Sequence, residues 1–179
     1  MAETIEVKQT WTNYLAITTV LFAVCATLST FKGGGYSTRS LLNQTQAANK
    51  WSYYQSKSIK SYLFELQKST LEFQKSTLKD APGELLGKYD SEIARLDKSI
   101  HRYDEEKITI KRDAEDLEKN RDLYKLHSSE FGFAVIFLQV SILLSSIAAL
   151  TKKKYIWLVS IAVGSVGIFY FANGFLLFF

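Results

Sequence analysis

The apolar residues of this chain collect in three long blocks, a distribution typical of a membrane protein. The blocks are Trp11 to Phe31, Phe131 to Leu150 and Tyr155 to Phe179. Each approaches or exceeds the roughly 20 residues that a helix needs to cross the hydrocarbon core of a bilayer. The pattern therefore predicts three transmembrane helices. Residues 1–10 carry two glutamates against one lysine and no clear cleavage site follows the first block, so we expect a short N-terminal tail and an uncleaved signal anchor.

The segment between the first two blocks predicts a long helical hairpin. Three consecutive glycines at 33–35 cost about 1 kcal/mol each in a helix relative to alanine. Residues 32–36 are therefore predicted to be a linker in which the first membrane helix ends or bends. Residues 37–128 then divide into two arms of similar length on either side of Pro82-Gly83. A turn is predicted at 80–84, because proline tends to stop a helix and glycine reverses the chain.

Both arms repeat apolar residues at alternating steps of three and four, which is typical of a coiled coil. In the first arm these positions are Ile59, Tyr62, Leu66 and Phe73, with Ser69 and Ser76 between them. In the second arm they are Leu86, Tyr89, Ile93, Leu96, Ile100, Tyr103, Ile110, Ala114, Leu117 and Tyr124.

The two arms carry opposite net charge, so antiparallel pairing would place unlike charges along both flanks. The predicted fold class is an all-α membrane protein: three transmembrane helices, with a long antiparallel coiled-coil hairpin between the first and second. Such a stalk is too thin to enclose a substrate pocket of ordinary size.

The stretch WSYYQSKSIK, Trp51 to Lys60, is aromatic on more than one side of its predicted helix. It fits three interpretations: an aromatic belt at the lipid headgroups, the core of the hairpin, or a second contact surface for a neighbouring subunit or a protein partner. The core would explain Trp51, Ile59 and Tyr62 only. The third interpretation is our working hypothesis, with these candidate contact residues: Trp51, Tyr53, Tyr54, Gln55, Ile59 and Tyr62.

The same stretch, together with LTKKKYIWLVSIAVGSVGIFYF near the end of the chain, resembles an uncharacterised group of bacterial membrane proteins. That family is known only as a domain of unknown function, number four-three-three-seven. The resemblance extends from Trp11 to Phe175, and small residues at the positions of Ser52 and Ser56 are similar to the family's pattern. It implies the architecture and a bacterial inner membrane, and it implies no activity, cofactor or catalytic residue.

Stripes of small side chains run along the predicted spans and favour close helix packing in lipid. We expect these stripes to pack the helices of one subunit. Stripes that are not needed for that packing would favour a homo-oligomer. The candidate transmembrane packing residues are Ala16, Thr19, Ala23 and Ala26 in the first span and Ser160, Gly164 and Gly167 in the third.

No ionisable side chain other than Cys25 and the tyrosines falls inside the spans, which disfavours ion-coupled transport. The strongly polar side chains there are Gln139 and Asn173, which are candidates to line a passive pore formed by several copies. A hydrogen bond from Gln139 to a neighbouring helix is the ordinary alternative.

The short loop 151–154 contains Lys152, Lys153 and Lys154 and predicts the membrane orientation. Positive loops of this length lie in the cytoplasm, which places the N-terminus in the cytoplasm and the hairpin in the periplasm. Lys32 and Arg39 argue the other way, but a segment of more than about 60 residues translocates with little regard to its charge.

The remaining composition narrows the function classes. The formal charge of +4 and the pI near 9.0 come from one arm and the lysine loop rather than from a basic surface with stacking aromatics, so no nucleic-acid binding is expected. His101 and His127 lack a second histidine or cysteine at ligand spacing, and no cofactor, metal site or catalytic residue is predicted. Cys25 is the single cysteine and is expected to pack within its span.

These observations predict a non-enzymatic scaffold or adaptor of the bacterial inner membrane. It would self-associate through its spans and its stalk, with membrane lipid, further copies of itself and a protein partner at the stalk as its contacts. An oligomeric passive channel for ions or small solutes is the alternative.

Overall fold

The computed structural model describes residues 2–78 and 82–178, with side chains from residue 11 onward. It contains three α-helices, α1 Ala2–Thr77, α2 Gly83–Thr151 and α3 Lys154–Leu176. No strand occurs in the described ranges. The prediction of an all-helical protein is therefore confirmed. Each of the three helices contains a stretch long and apolar enough to cross a membrane.

The glycine linker predicted at 32–36 is wrong, because α1 stays helical through all three glycines. A side chain at Gly33 would place its Cβ 3.0 Å from the Cβ of Phe131, and the Ser128 hydroxyl donates to the Gly33 carbonyl at 3.0 Å. The close approach of α2 thus favours a residue without a side chain at position 33.

Two further boundaries differ from the prediction. The predicted N-terminal tail is helical from Ala2 onward. At the predicted turn, Gly83 and Glu84 already belong to α2, whose first turn uses the Pro82 carbonyl as the acceptor for the Leu85 and Leu86 amides. Asp80 and Ala81 lie outside the described residues.

The chain divides into two compact units. Unit 1 comprises residues 1–42 and 120–179, and unit 2 comprises residues 43–119. Each unit contains a portion of α1 and a portion of α2, and unit 1 also contains α3.

In unit 1 the three helices pack through small and apolar side chains. Phe22 and Ala26 of α1 meet Ala134 and Leu138 of α2 in a buried cluster. The ring of Phe22 also covers Gly164 of α3, where an added Cβ would lie 2.3 Å from the ring. Glycine at this position therefore allows the aromatic ring to pack directly on the helix backbone.

A buried hydroxyl cluster links α2 to α3 in the same unit. The Ser141 hydroxyl donates to the Ser160 carbonyl at 2.7 Å, and the Ser145 and Ser160 hydroxyls are 2.6 Å apart. All three serines are fully buried. Because each hydroxyl has a partner on the facing helix, the cluster can be buried without an unpaired polar group.

In unit 2, α1 and α2 run antiparallel and touch along their length. Lys50 pairs with Asp113 near one end, and Lys75 pairs with Asp90 near the other. The residue number of the α2 partner thus falls as the residue number along α1 rises, as expected for antiparallel helices. On α2, the predicted stripe faces α1, with Leu96, Ile110 and Ala114 buried.

Candidate self-association surface

Lysines on α1 and acidic residues on α2 determine which faces of the two helices meet in unit 2. Lys57 lies 2.6 Å from Glu106, and Lys68 lies 2.5 Å from Asp97. Ser61, which is fully buried, donates to Asp104 at 3.3 Å. The α1 face toward α2 therefore carries a row of lysines, whose methylene stems are partly covered while their ammonium groups reach acids on α2.

These contacts shift the pKa values of the paired groups in opposite directions. The hydrogen bond from Lys68 lowers the pKa of Asp97, and the same bond raises the pKa of Lys68. Lys57 likewise lowers the pKa of Glu106, while Glu106 raises the pKa of Lys57. Both shifts favour the charged forms, so the pairs stabilise unit 2 wherever acid and lysine are both ionised.

Aromatic residues complete this face. The Trp51 indole N–H donates to Glu118 Oε1 at 2.9 Å, and the Trp51 ring meets Tyr54 edge to face at 5.7 Å between centroids. Phe64 stacks on Tyr103 at 5.7 Å. Trp51 and Tyr54 are half-buried, so these two of the candidate contact residues are largely used within one copy.

The other candidate contact residues are exposed. Tyr53 is 49% exposed and has Lys57 Nζ 5.2 Å from its ring centroid. Gln55 is exposed. Ile59 and Tyr62 are 59% and 63% exposed. Both were predicted to be hairpin core under the second interpretation, and that interpretation is wrong for them.

Ile59 and Tyr62 begin an apolar stripe on the outer side of α1. Leu63, Leu66 and Phe73 continue it, with Leu66 65% and Phe73 70% exposed. On a helical projection this stripe lies opposite Ser61 and Lys68, which face α2. We call it the outer stripe, and it consists of these residues: Ile59, Tyr62, Leu63, Leu66 and Phe73.

The outer stripe is the first-arm seam of the sequence analysis, with its steps of three and four unchanged. Its predicted partner was wrong, because α2 lies against the lysine face instead. Hydrophobicity alone could not reveal this, because a hydrophobicity scale counts lysine as polar although its methylene stem can cover apolar surface. The correct face could have been recognised from lysines that recur on one side of the first arm, while the second arm carries acids. These lysines are Lys50, Lys57, Lys68 and Lys75.

The span-packing candidates divide between buried and exposed positions. Ser160, Gly164 and Gly167 of α3 are buried, and so is Ala26 of α1, while Thr19 is half-buried. Ala16 and Ala23 are exposed. The α1 face that does pack consists of residues at heptad-like spacing: Leu15, Phe22, Ala26, Ser29 and Gly33.

The two pore candidates occupy different environments. Asn173 is only 1% exposed, and its amide donates to Glu130 Oε2 at 2.7 Å while its oxygen accepts from the Phe178 amide. It is therefore unavailable to line a pore. Gln139 is exposed on the surface of unit 1.

A polar junction that sequence reasoning missed surrounds Asn173. His127 Nδ1 lies 2.8 Å from the Gly174 carbonyl, and Tyr36 stacks on the His127 ring at 4.6 Å. His127 itself is half-buried. The junction joins α2 to α3, and no sequence spacing marks it because its members come from three separate helices.

The lysine loop is shorter than predicted. α2 ends at Thr151 and α3 begins at Lys154, which leaves Lys152 and Lys153 as the connection. Lys152 has a left-handed backbone with φ of 54°. All three lysines are exposed.

In the residues that the structure describes, no group of three or more His, Cys, Asp or Glu side chains is placed to hold a metal ion. The fold defines an all-helical protein with three helices apolar enough to cross a membrane. A family model, described as a domain of unknown function (DUF4337), matches residues 11–177, so the chain belongs to that family. The predicted resemblance is thereby confirmed. No curated protein and no solved structure matches the chain significantly.

Proposed function

We propose that this protein is a non-enzymatic scaffold or adaptor of the bacterial inner membrane that self-associates. The observation that carries the proposal is the outer stripe, a row of large apolar side chains that one copy leaves exposed. Contiguous exposed apolar surface marks an interaction site, whereas scattered apolar residues do not. Full burial of one such side chain gains about 1.5–3 kcal/mol, so several together can drive association.

A second copy is the occupant that suits the outer stripe best. The steps of three and four from Ile59 through Phe73 are those of a coiled-coil seam, which packs best on a helix with the same repeat. Copies inserted in one membrane with one orientation can pair these helices only in parallel. Ser52 and Ser56 extend the exposed face and donate to their own helix at 3.0 Å, so close approach there leaves no unpaired hydroxyl.

The proposed topology follows the lysine loop. Lys152, Lys153 and Lys154 remain in the cytoplasm, and the coiled-coil hairpin of residues 37–128 lies in the periplasm. Membrane-impermeant labelling of single cysteines at Lys153 and at Ile108, in a Cys25→Ser background, tests this arrangement. Labelling at Ile108 alone in intact cells is expected.

The decisive experiment places charges in the outer stripe. Leu66→Glu combined with Phe73→Glu should lower the number of subunits that the detergent-solubilised full-length protein shows in an intact-complex mass measurement. Ile108→Glu is the matched control, because Ile108 of α2 is 71% exposed in the same unit and lies outside the stripe. Equal loss of oligomer in both variants, or an unchanged oligomer in the stripe variant, would refute the proposal.

An oligomeric passive channel is the second candidate, favoured only by the exposure of Gln139 on a span. Solute flux in liposomes distinguishes it from a scaffold. A channel requires flux that Gln139→Leu changes, whereas the scaffold predicts flux no greater than that of empty liposomes.

A further inference from the structure

Gln139 carries a polar amide in the middle of an apolar helix segment and has no hydrogen-bond partner among the residues that the structure describes. It is the ninth residue of the block from Phe131 to Leu150 and is exposed. None of the residues that the structure describes offers its amide a hydrogen bond. In the hydrocarbon core an unpaired amide costs several kcal/mol, and lipid tails supply neither a donor nor an acceptor.

Gln139 also lies at the centre of a regular exposed stripe on α2. The members recur at steps of four and three, and the large ones are mostly uncovered, with Leu143 64% and Leu150 84% exposed. The buried face of α2, which holds Leu138, Ser141 and Ser145, is on the other side of the helix. We call the exposed set the span stripe, and it consists of these residues: Gly132, Ile136, Gln139, Leu143, Ser146 and Leu150.

The chemistry of the span stripe fits a second copy of the same helix. A glutamine amide both donates and accepts, so two of them can exchange two hydrogen bonds when they lie at the same depth. Parallel pairing of identical helices places the two Gln139 side chains at the same depth. Gly132 and Ser146 lie seven residues on either side, where small side chains let the backbones approach. The Ser146 hydroxyl already donates to the Ile142 carbonyl at 3.0 Å and therefore needs no external partner.

We propose that the α2 helices of two copies pair in parallel through the span stripe, with reciprocal hydrogen bonds between the two Gln139 amides. This inference rests on the proposed function, because it requires insertion in a membrane and self-association. It deepens that function by naming a second contact within the spans, formed by a face of α2 that is separate from the outer stripe of α1.

The experiment uses the full-length chain in membrane vesicles, with Cys25→Ser as background and the outer stripe disabled by Leu66→Glu and Phe73→Glu. A cysteine replaces either Leu143, on the span stripe, or Val140, which is also exposed but lies off it. Under oxidation, Leu143→Cys should form a cross-linked dimer and Val140→Cys should form much less. Resistance to alkaline extraction verifies membrane insertion in each variant.

The role of the amide is tested by adding Gln139→Leu to the Leu143→Cys chain. Self-association through the spans should weaken about tenfold, which corresponds to about 1.4 kcal/mol and to the scale of interhelical hydrogen bonds in membranes. Gln139→Asn retains an amide and should restore most of the cross-linking. Ser165→Ala is the matched control, because that exposed hydroxyl of α3 donates within its own helix, to the Ile161 carbonyl.

The outcomes separate this inference from the proposed function. Equal cross-linking at Leu143 and Val140, or no effect of Gln139→Leu in an inserted chain, overturns the span contact and leaves the outer stripe untouched. A chain that alkaline extraction removes from the vesicles overturns both. Preferential cross-linking at Leu143 that Gln139→Leu weakens and Gln139→Asn retains establishes the contact.

Discussion

The two units use the same pair of helices with opposite interface chemistry. In unit 1, α1 meets α2 through apolar and small side chains such as Phe22 and Leu138. In unit 2, the corresponding face of α1 presents Lys50, Lys57 and Lys68 to acids on α2. The large apolar residues of the outer stripe lie on the outside of unit 2 instead. The helix periodicity is shared, so the periodicity alone does not decide which face is buried.

This difference shows which physical property determines how the helices pack in each unit. Packing on Gly164 and Gly167 depends on shape, because an added Cβ would enter an occupied volume. Pairing in unit 2 depends on charge, because the antiparallel register brings four lysines of α1 to acids on α2. We therefore expect unit 1 to respond to changes in side-chain volume and unit 2 to respond to pH.

The largest effect is expected from pH, because it removes all the ion pairs of unit 2 together. The pKa values of Asp97 and Asp113 are lowered below their ordinary value of 3.8, and that of Glu106 is lowered below 4.5. Stability from these groups is complete above the ordinary values and is lost as pH falls through the lowered ones. The pKa values of Lys57 and Lys68 are raised above 10.5, so their contribution is lost as pH rises beyond that value.

Tryptophan fluorescence can follow the two units separately. Trp51 lies in unit 2, whereas Trp11 and Trp157 lie in unit 1 with ring centroids 6.4 Å apart. A chain that retains only Trp51 should change its emission below about pH 4 and remain constant near neutrality. A chain with Trp51→Phe should change little. If both chains respond equally to acid, the contrast between the units is lost.

The second effect concerns volume in unit 1. Gly167→Ala would place a Cβ 2.8 Å from Leu138 Cγ and 3.0 Å from the Leu138 backbone nitrogen. Thermal unfolding of the solubilised protein should show a loss of about 1–3 kcal/mol, the usual cost of overpacking. Gly34→Ala is the control, because nothing lies within 4 Å of its added Cβ and the helix should gain up to about 1 kcal/mol. A stable Gly167→Ala protein would contradict the packing of α3 on α2.

The third effect concerns the hydroxyl cluster. Ser160→Ala removes a group that donates to the Ser141 carbonyl at 2.9 Å and contacts the Ser145 hydroxyl. A loss of about 1 kcal/mol in the same unfolding assay is expected, since hydrogen bonds of this kind contribute about 0.5–1.5 kcal/mol each. Ser165→Ala should remain within about 0.5 kcal/mol of the parent protein.

The smallest effect concerns the connection between α2 and α3. Lys152 adopts a left-handed conformation that glycine tolerates more readily. Lys152→Gly should stabilise unit 1 by up to about 1 kcal/mol, less the greater chain entropy that glycine adds to the unfolded state. Lys153→Gly should not stabilise it, because Lys153 has an extended backbone with φ of −103°.

Much of the architecture could be predicted from particular residues. The charge-free blocks predicted three long apolar helices, and the stripe from Leu86 to Leu117 predicted the α2 face that meets α1. The predicted break at 32–36 was wrong, and local helix propensity could not reveal that Gly33 packs against Phe131, about 100 residues away in the chain. The outer stripe was visible as a periodic seam but was given the wrong partner.

The sequence by itself determined the helical content, the three apolar segments and the family, because these depend on local composition and periodicity. Tertiary structure alone decided which of two periodic faces of α1 meets α2 and which polar groups are paired. The physical reason is that an interface is selected by complementarity between distant segments. Lysines that lie opposite acids can therefore bring one face of a helix into an interface, even where the opposite face is more hydrophobic.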